Sequence, residues 1–402
     1  MPDVMDARFR IGQTVEAMIE TVAFGGDGVA RVRDMVLFVP FTADGDLAEV
    51  RVVEVRKNFL RGKLRRLLIP SPHRTEPECP YYLRCGGCRY QHISYEHQLE
   101  LKRNQVAESF KRIGRFSSPP VEDIRPSPKS YNYRGKVEIH LRTKRGYPPE
   151  IGFIDTGGLR IVDVERCAIA DETINNALRE LRGKALSGDL PIGGEETKIL
   201  WSGDQDMNED GPITRVVKGR KLEVHRQGFF QANLSLTDAL VDAVLDLAAL
   251  TGGERVLDCY CGVGLFSLFL AAKAGDIIAV DIDREAVGAA RKNFAAFGHG
   301  GVRLFEGSVE DILREHLAGE KGRTDVVVLD PPRTGCDKVL LDTLAEWRPK
   351  KVVYVSCDPA TQARDIRYLA DRGFSLQILR PFDMFPQTKH IEVVALLTWG
   401  NR

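Results

Sequence analysis

Arg255-Val256-Leu257-Asp258-Cys259-Tyr260-Cys261-Gly262-Val263-Gly264-Leu265-Phe266-Ser267 decides the fold of the C-terminal part of this chain. A short apolar run ends on an acidic residue and is followed by glycines that let the backbone approach a ligand closely and open a helix N-terminus. Ile277-Ile278-Ala279-Val280-Asp281 repeats the pattern of a buried strand ending in a carboxylate. Its acid lies about 20 residues beyond the glycines, where it could accept hydrogen bonds from ribose hydroxyls. From Glu254 onward, short buried strands alternate with helices, which predicts an α/β fold with a doubly wound, mostly parallel sheet.

Two further strand ends carry chemistry. Val326-Val327-Val328-Leu329-Asp330-Pro331-Pro332-Arg333 ends a strand on a carboxylate held by two prolines. Lys351-Val352-Val353-Tyr354-Val355-Ser356-Cys357-Asp358-Pro359 ends the next on a cysteine, with a proline that cannot continue the ladder. Neighbouring strand ends lie about 5 Å apart, so Asp330 and Cys357 are expected to share one crevice. The strands near Leu376–Leu379 and His390–Leu397 are joined by a short connection, which implies an antiparallel hairpin. The last strand then starts where the parallel strands end, and Glu392 at its start faces Cys357.

A thiol flanked by two carboxyls suits methylation at C5 of a pyrimidine, a carbon that is a poor nucleophile until something adds to C6. Cys357 is the candidate nucleophile, Glu392 the base for the C5 proton, and Asp330 the group that orients the base edge. Gly262-x-Gly264 lacks the third glycine of the dinucleotide fingerprint, and Asp258 precedes the loop as in S-adenosylmethionine (SAM) methyltransferases. Asp258, Tyr260, Gly262, Gly264, Leu265 and Asp281 are therefore the candidate cofactor contacts, with Ser308 of Glu306-Gly307-Ser308 near the adenine end.

The 402 residues exceed one ordinary core, and the 57 basic and 57 acidic side chains leave no global field toward nucleic acid. No apolar run reaches the ~18 residues of a membrane span, and Met1 to Arg10 is polar, so a cytoplasmic location is expected. Eight cysteines, several of them clustered, suggest ligation or catalysis in a reducing compartment.

Working toward the N-terminus, residues 231–402 form the expected catalytic domain and 71–230 a central α+β domain. Tyr131-Asn132-Tyr133-Arg134-Gly135-Lys136 begins an alternating strand whose cations and aromatics suit single-stranded RNA, a solvated face being the plainer alternative. Cys79, Cys85 and Cys88 have five and two residues between them, and Cys167 is the nearby fourth thiol that a closed site requires. A zinc ribbon usually pairs two Cys-x-x-Cys knuckles, and one is present. His92 and His97, at the start of a helix, read as surface side chains.

Residues 1–70 alternate in short strands broken by Gly and Asp, the pattern of a small OB-like barrel. Its last strands carry Arg51, Arg56, Lys57, Arg61, Lys63, Arg65 and Arg66 against Glu54, which is either a solvated face or a track for a nucleic-acid backbone. Ile69-Pro70-Ser71-Pro72-His73-Arg74 looks like a linker.

Gly25-Gly26-Asp27-Gly28-Val29-Ala30-Arg31 with Phe38-Val39-Pro40 resembles the TRAM domain, an RNA-binding barrel. Asp330-Pro331-Pro332-Arg333, Ser356-Cys357-Asp358-Pro359-Ala360-Thr361 and Pro386-Gln387-Thr388-x-His390-Ile391-Glu392 resemble the RNA uracil-5-methyltransferases of the TrmA and RumA type. That resemblance covers essentially the whole chain. It implies Cys357 as nucleophile, Glu392 as base, and SAM contacts by Gln231 (in Phe229-Phe230-Gln231-Ala232-Asn233), Tyr260, Asp281, Ser308 and Asp330. It further implies a [4Fe-4S] cluster on Cys79, Cys85, Cys88 and Cys167, and a monomer acting on RNA, with ribosomal RNA favoured over transfer RNA. Leu265 stands where many relatives carry a polar residue, and Asp281 where Glu is more usual. The alternatives are an RNA cytosine-C5 methyltransferase and a non-catalytic RNA-binding factor.

Overall fold

The computed structural model describes residues 9–190, 193–203, 211–317, 319 and 321–400. Strands β1 (Thr14–Val22), β2 (Asp27–Val32), β3 (Met35–Pro40), β4 (Leu47–Val55) and β5 (Phe59–Ile69) close into a barrel in the order β1-β2-β3-β5-β4. Period-two alternation fills it: Met35, Leu37 and Val39 point inward from β3 to meet Ala48, Val50 and Val52 of β4. The basic strands are less one-sided than their sequence suggests. Antiparallel register sets Glu49 opposite Arg66 and Glu54 opposite Arg61, and Arg61 also reaches Asp27 at 3.2 Å. Three of the seven cations of the expected track, Arg61, Arg65 and Arg66, thus lie within 4.0 Å of a carboxylate across the sheet.

The stretch after β5 is pinned. The Arg74 guanidinium forks onto Asp46 with two bonds of 2.7 Å and a third, of 3.1 Å, to Phe41 O. The Ala43 and Ser71 amides also donate to the Asp46 carboxylate. Burial alone would raise the Asp46 pKa, but Arg74 and these amides outweigh it and hold the carboxyl below 3.8. Helix α1 (Tyr95–Arg112) begins beside this clamp. Contrary to the surface reading, His92 and His97 are buried. His92 Nδ1 lies 2.6 Å from the Tyr82 hydroxyl, and His97 bridges Asp44 and Glu100 at 2.9 and 3.0 Å. Barrel and helix meet there, so polar residues at the seam lose their solvent.

A four-stranded sheet follows in the order β8-β7-β6-β9, from β6 (Lys136–Arg142), β7 (Glu150–Ile154), β8 (Ile161–Asp163) and β9 (Glu195–Trp201). Helix α2 (Glu172–Ser187) packs on it, capped by Asp171 at one end and by left-handed Gly188 at the other. The hairpin β10 (Ile213–Val217) and β11 (Arg220–Val224) then buries Val217, Leu222 and Val224 in one core with α3 (Leu234–Ala248).

The C-terminal region alternates β12 (Arg255–Cys259), α4 (Leu265–Leu270), β13 (Asp276–Asp281), α5 (Arg284–Ala296), β14 (Arg303–Glu306), α6 (Val309–Glu315), β15 (Val326–Leu329), α7 (Lys338–Trp347), β16 (Lys351–Ser356) and α8 (Pro359–Ala370), and closes with β17 (Phe374–Phe382) and β18 (Glu392–Trp399). The seven strands order as β14-β13-β12-β15-β16-β18-β17, with β18 antiparallel to both neighbours. The expected doubly wound sheet is present, and its central strands are buried on both faces, as continuous Val and Leu runs require. Residues 120–125 run along the β17 edge, where the Glu122 and Arg125 amides each donate at 2.8 Å. No helix among the described residues is long and apolar enough to cross a membrane.

Replacing Arg74 with Met leaves the Asp46 carboxylate buried without its cation, which should cost about 3 kcal/mol of unfolding free energy in urea melts of the full chain at pH 7. The deficit should shrink as the pH falls below 3.8 and Asp46 protonates in folded and unfolded chains alike.

Candidate active site

The chain order in the sheet reverses between β12 and β15, and ligands bind outside the carboxyl ends of strands at such a switch. A cavity of ≈ 520 Å³ opens there. Its wall includes Gln231, Tyr260, Gly262, Leu265 and Asp281 on one side and Asp330, Cys357 and Glu392 on the other. The glycine loop is held from below: Gly262, at φ 55, donates its N–H to Asp281 at 2.7 Å, and the Asp283 N–H donates to the other oxygen of the same carboxylate. Gly264, at φ 83, caps α4, and a side chain there would lie 2.7 Å from the Phe294 ring.

Three expected cofactor residues are not on the wall. Asp258 is fully buried beneath the loop, where it accepts from the Ser267 N–H at 3.1 Å and hydroxyl at 2.5 Å and so fixes the start of α4. Gly264 lies behind the loop, and Ser308 spends its hydroxyl capping α6 against Asp311. Asp258 and Ser308 stand at or just after strand ends, where the next helix also has to start, and their side chains do that; Gly264 opens α4 through its left-handed backbone. Phe229, Ile282, Asp283, Arg333, Phe385 and His390 line the cavity and were not assigned from sequence. Arg333 and His390 belong to quoted motifs, so their neighbours could have flagged them. Phe385 carried no such signal.

The electrostatics of the far wall are those of acids kept from water. Burial, then Asp258 and Asp281, pushes Asp330 up to about 7. Burial, then Asp330, holds Glu392 well above the usual carboxyl range, with Arg333 opposing. Burial, then Glu392, raises the Cys357 thiol to about 12, while Arg333 pulls the other way. His390 is pushed down to about 3 by burial and by Arg333, and its Nε2 lies 3.3 Å from the Arg333 guanidinium. A neutral imidazole thus accepts from the cation beside the thiol.

The four expected metal ligands also meet. Cys79, Cys85, Cys88 and Cys167 line one cavity of ≈ 160 Å³ between the 79–88 loop and the central sheet, together with Arg134. Gly86 lets that loop lie against β7, where a Cβ would come within 2.9 Å of Asp155 O. Asn175 holds Cys167 through its backbone N–H at 2.9 Å. Burial raises Cys85 and Cys88, and the charges of the other thiols raise them further, so four thiolates here call for a cationic partner. A single zinc ion needs its sulfurs roughly 3.8 Å apart, from a bond of about 2.3 Å. Among the described residues, the group of metal-capable side chains with ligand atoms mutually within 4.8 Å is Asp44, His73 and His97, not these thiols.

A Rossmann-like sheet with a glycine loop beneath a thiol and two carboxyls defines a SAM-dependent methyltransferase. The chain belongs to the tRNA (uracil-5-)-methyltransferase family: residues 206–399 match that family's model, and residues 8–64 match the TRAM domain. It is 32% identical to an uncharacterised RNA methyltransferase of Halalkalibacterium halodurans, over 96% of this chain and 97% of the relative. One from Gloeobacter violaceus is 33% identical over 96% of each. Among solved structures, it resembles the tRNA (uracil-54, C5)-methyltransferase of Pyrococcus abyssi in complex with S-adenosyl-L-homocysteine, with TM-score 0.72 and 25% identity over 96% of this chain and all of that one.

Alkylation of Cys357 by iodoacetamide, followed by mass spectrometry of its peptide, should accelerate with pH up to and beyond pH 10. Removing the Arg333 charge (Arg333→Gln) should shift that profile to higher pH, slowing alkylation roughly tenfold for each unit of displacement. A profile unmoved by the substitution would remove Arg333 from the account of the thiol.

Proposed function

We propose that this enzyme methylates C5 of a uridine in structured RNA through a covalent adduct between Cys357 and C6 of the base. One observation carries the reading: Asp330 after the end of β15, Cys357 after the end of β16 and Glu392 at the start of β18 line a single cavity. The Cys357 thiolate adds to C6, and the electrons of the C5–C6 bond move to give an enolate that is nucleophilic at C5. When bound, SAM supplies an electrophilic methyl group, and its cationic sulfonium favours the ionised forms of the surrounding acids. After methyl transfer, Glu392 takes the C5 proton, the C5–C6 double bond re-forms and the C6–S bond breaks, returning the thiolate. Asp330, a carboxyl raised by burial at the end of β15, hydrogen-bonds the uracil edge and orients the base. Arg333 stabilises the thiolate between turnovers. Gln231, Tyr260, Gly262, Leu265 and Asp281 hold the cofactor; Asp258, Gly264 and Ser308 shape the loops that present them.

The four cysteines, in this proposal, hold a [4Fe-4S] cluster. Uridine methylation consumes no electrons, so the cluster orders the 79–88 loop. Ribosomal RNA is the substrate class implied by the combined barrel and cysteine motifs, while the full-length match to the Pyrococcus enzyme favours transfer RNA. The chain works as a monomer in the cytoplasm.

With RNA containing 5-fluorouridine and SAM, the wild-type enzyme should form an SDS-resistant protein–RNA adduct, because fluorine cannot leave as a proton does. Cys357→Ala should form none, and an adduct from that variant would refute the nucleophile. Mapping 5-methyluridine in ribosomal and transfer RNA from a deletion strain should show one class losing it; loss of 5-methylcytidine instead would overturn the uridine assignment. Anaerobically purified protein should contain about four iron and four acid-labile sulfide per chain. Stoichiometric zinc without sulfide would overturn the cluster.

A further inference from the structure

The connection from β17 to β18 runs from Asp383 to Ile391 and delivers Glu392 to the cavity, with Phe385 and His390 contributing to the wall on the way. Buried backbone in such a connection needs hydrogen-bond partners, and here they come from the N-terminal half of the chain. Gln387 has φ 66, a conformation that a non-glycine residue keeps only when its surroundings hold it. Its carbonyl accepts from the Arg89 and Tyr90 amides at 2.9 and 3.0 Å, the two residues after Cys88. Its own N–H donates to Gln98 Oε1 at 3.1 Å. A backbone N–H can only donate, which fixes the Gln98 amide orientation. The Gln98 Nε2 then donates to Gln387 Oε1 at 2.9 Å and to Ile93 O at 2.8 Å. One helical turn on, Lys102 Nζ donates to Asp383 Oδ1 at 2.6 Å and Phe385 O at 3.0 Å, in a pair with no exposed side-chain surface.

We infer that Gln98 and Lys102 are positioning residues for the step that releases the product: through Gln387 and Asp383 they hold the connection that aims Glu392 at the C5 proton. The inference rests on the proposed role of Glu392 as base. Thiol addition and methyl transfer use Cys357 and the cofactor loop, to which Gln98, Lys102, Asp383 and Gln387 are not bonded; the connection approaches the thiol only further along, where His390 meets Arg333 rather than the brace. Loosening the brace therefore slows proton removal from C5 and leaves the earlier steps intact, so the methylated Cys357–C6 adduct builds up. The brace also explains why the loop that carries three of the four cysteines lies against the catalytic domain: its Arg89 and Tyr90 amides are half of the hold on Gln387.

The test compares purified wild-type, Gln98→Met, Gln387→Gly and Glu392→Gln proteins on total RNA from a strain lacking the enzyme, with labelled SAM. Turnover, KM and SDS-resistant labelled adduct are measured alongside thermal melting. Gln98→Met keeps the side chain's length and apolar stem but loses its bonds. It should reduce kcat about 10-fold to 100-fold, as small misplacements of reacting groups do, with KM for SAM and RNA within about twofold of wild type and with labelled adduct accumulating. Gln387→Gly removes one side-chain acceptor while relieving the positive φ, so it should show a smaller fall in kcat with the same adduct signature and an undiminished melting temperature. It carries the test should Gln98→Met not fold. Unchanged kcat in the folded variants, or a fall without adduct, overturns the brace. Adduct accumulation in Glu392→Gln supports the base assignment; its absence there overturns that assignment separately, whatever the Gln98 variant does.

Discussion

The insertion of β18 antiparallel between β16 and β17 is the constraint on which the site depends. Parallel strands deliver their carboxyl ends to one edge of the sheet, and Asp330 and Cys357 follow two such ends. An antiparallel neighbour delivers its beginning to the same edge: Ser356 pairs with Val393, which places Glu392 level with Cys357. No loop long enough to reach across the crevice is needed. The same geometry packs acids into a space with little water, and burial is the largest cause of the raised pKa at Asp330, Glu392 and Cys357 alike. Groups that burial makes costly to ionise respond strongly to a bound cation.

The N-terminal regions serve that edge in two ways. The barrel is clamped to the body through Arg74 and Asp46 and through His97 between Asp44 and Glu100, so its remaining basic face is presented in a fixed orientation. Helix α1 packs on α8 and sends Lys102 and Gln98 into the β17–β18 connection. A fully buried lysine–aspartate pair is seldom the most stabilising choice for a core, since desolvation offsets much of the attraction. What such a pair supplies is a single geometry, here at the connection that precedes Glu392. The cysteine loop is bonded to the same connection, which ties together two sites separate in sequence.

The parts of this chain legible in its sequence were those set by local chemistry. Alternation in β3, the Val and Leu runs of β15 and β16, and the helix-opening Gly264 each report the environment of their own segment, so barrel, parallel sheet and glycine loop could be read directly. Strand ends could be placed at one edge because the parity of parallel and antiparallel connections follows from connection length. The burial of His92 and His97, the neutralisation of Arg61 and Arg66, and the pinning of Arg74 could not, since each depends on a partner distant in the chain.

The sequence by itself determined which residues carry reactive groups: the thiol of Cys357, the carboxyls of Asp330 and Glu392, and the thiols of Cys79, Cys85, Cys88 and Cys167. Tertiary structure decided which of the candidates face a cavity. Asp258, Gly264 and Ser308 were drawn into capping and packing, while Arg333, Phe385 and His390 came to the wall. The physical reason is that a residue's chemistry belongs to its side chain, whereas its exposure to a ligand is a property of everything that packs around it. Gln387 shows the difference most clearly: in sequence a member of the Pro386–Glu392 motif with no role of its own, it is held in three dimensions by three separate residues at the turn that leads to Glu392.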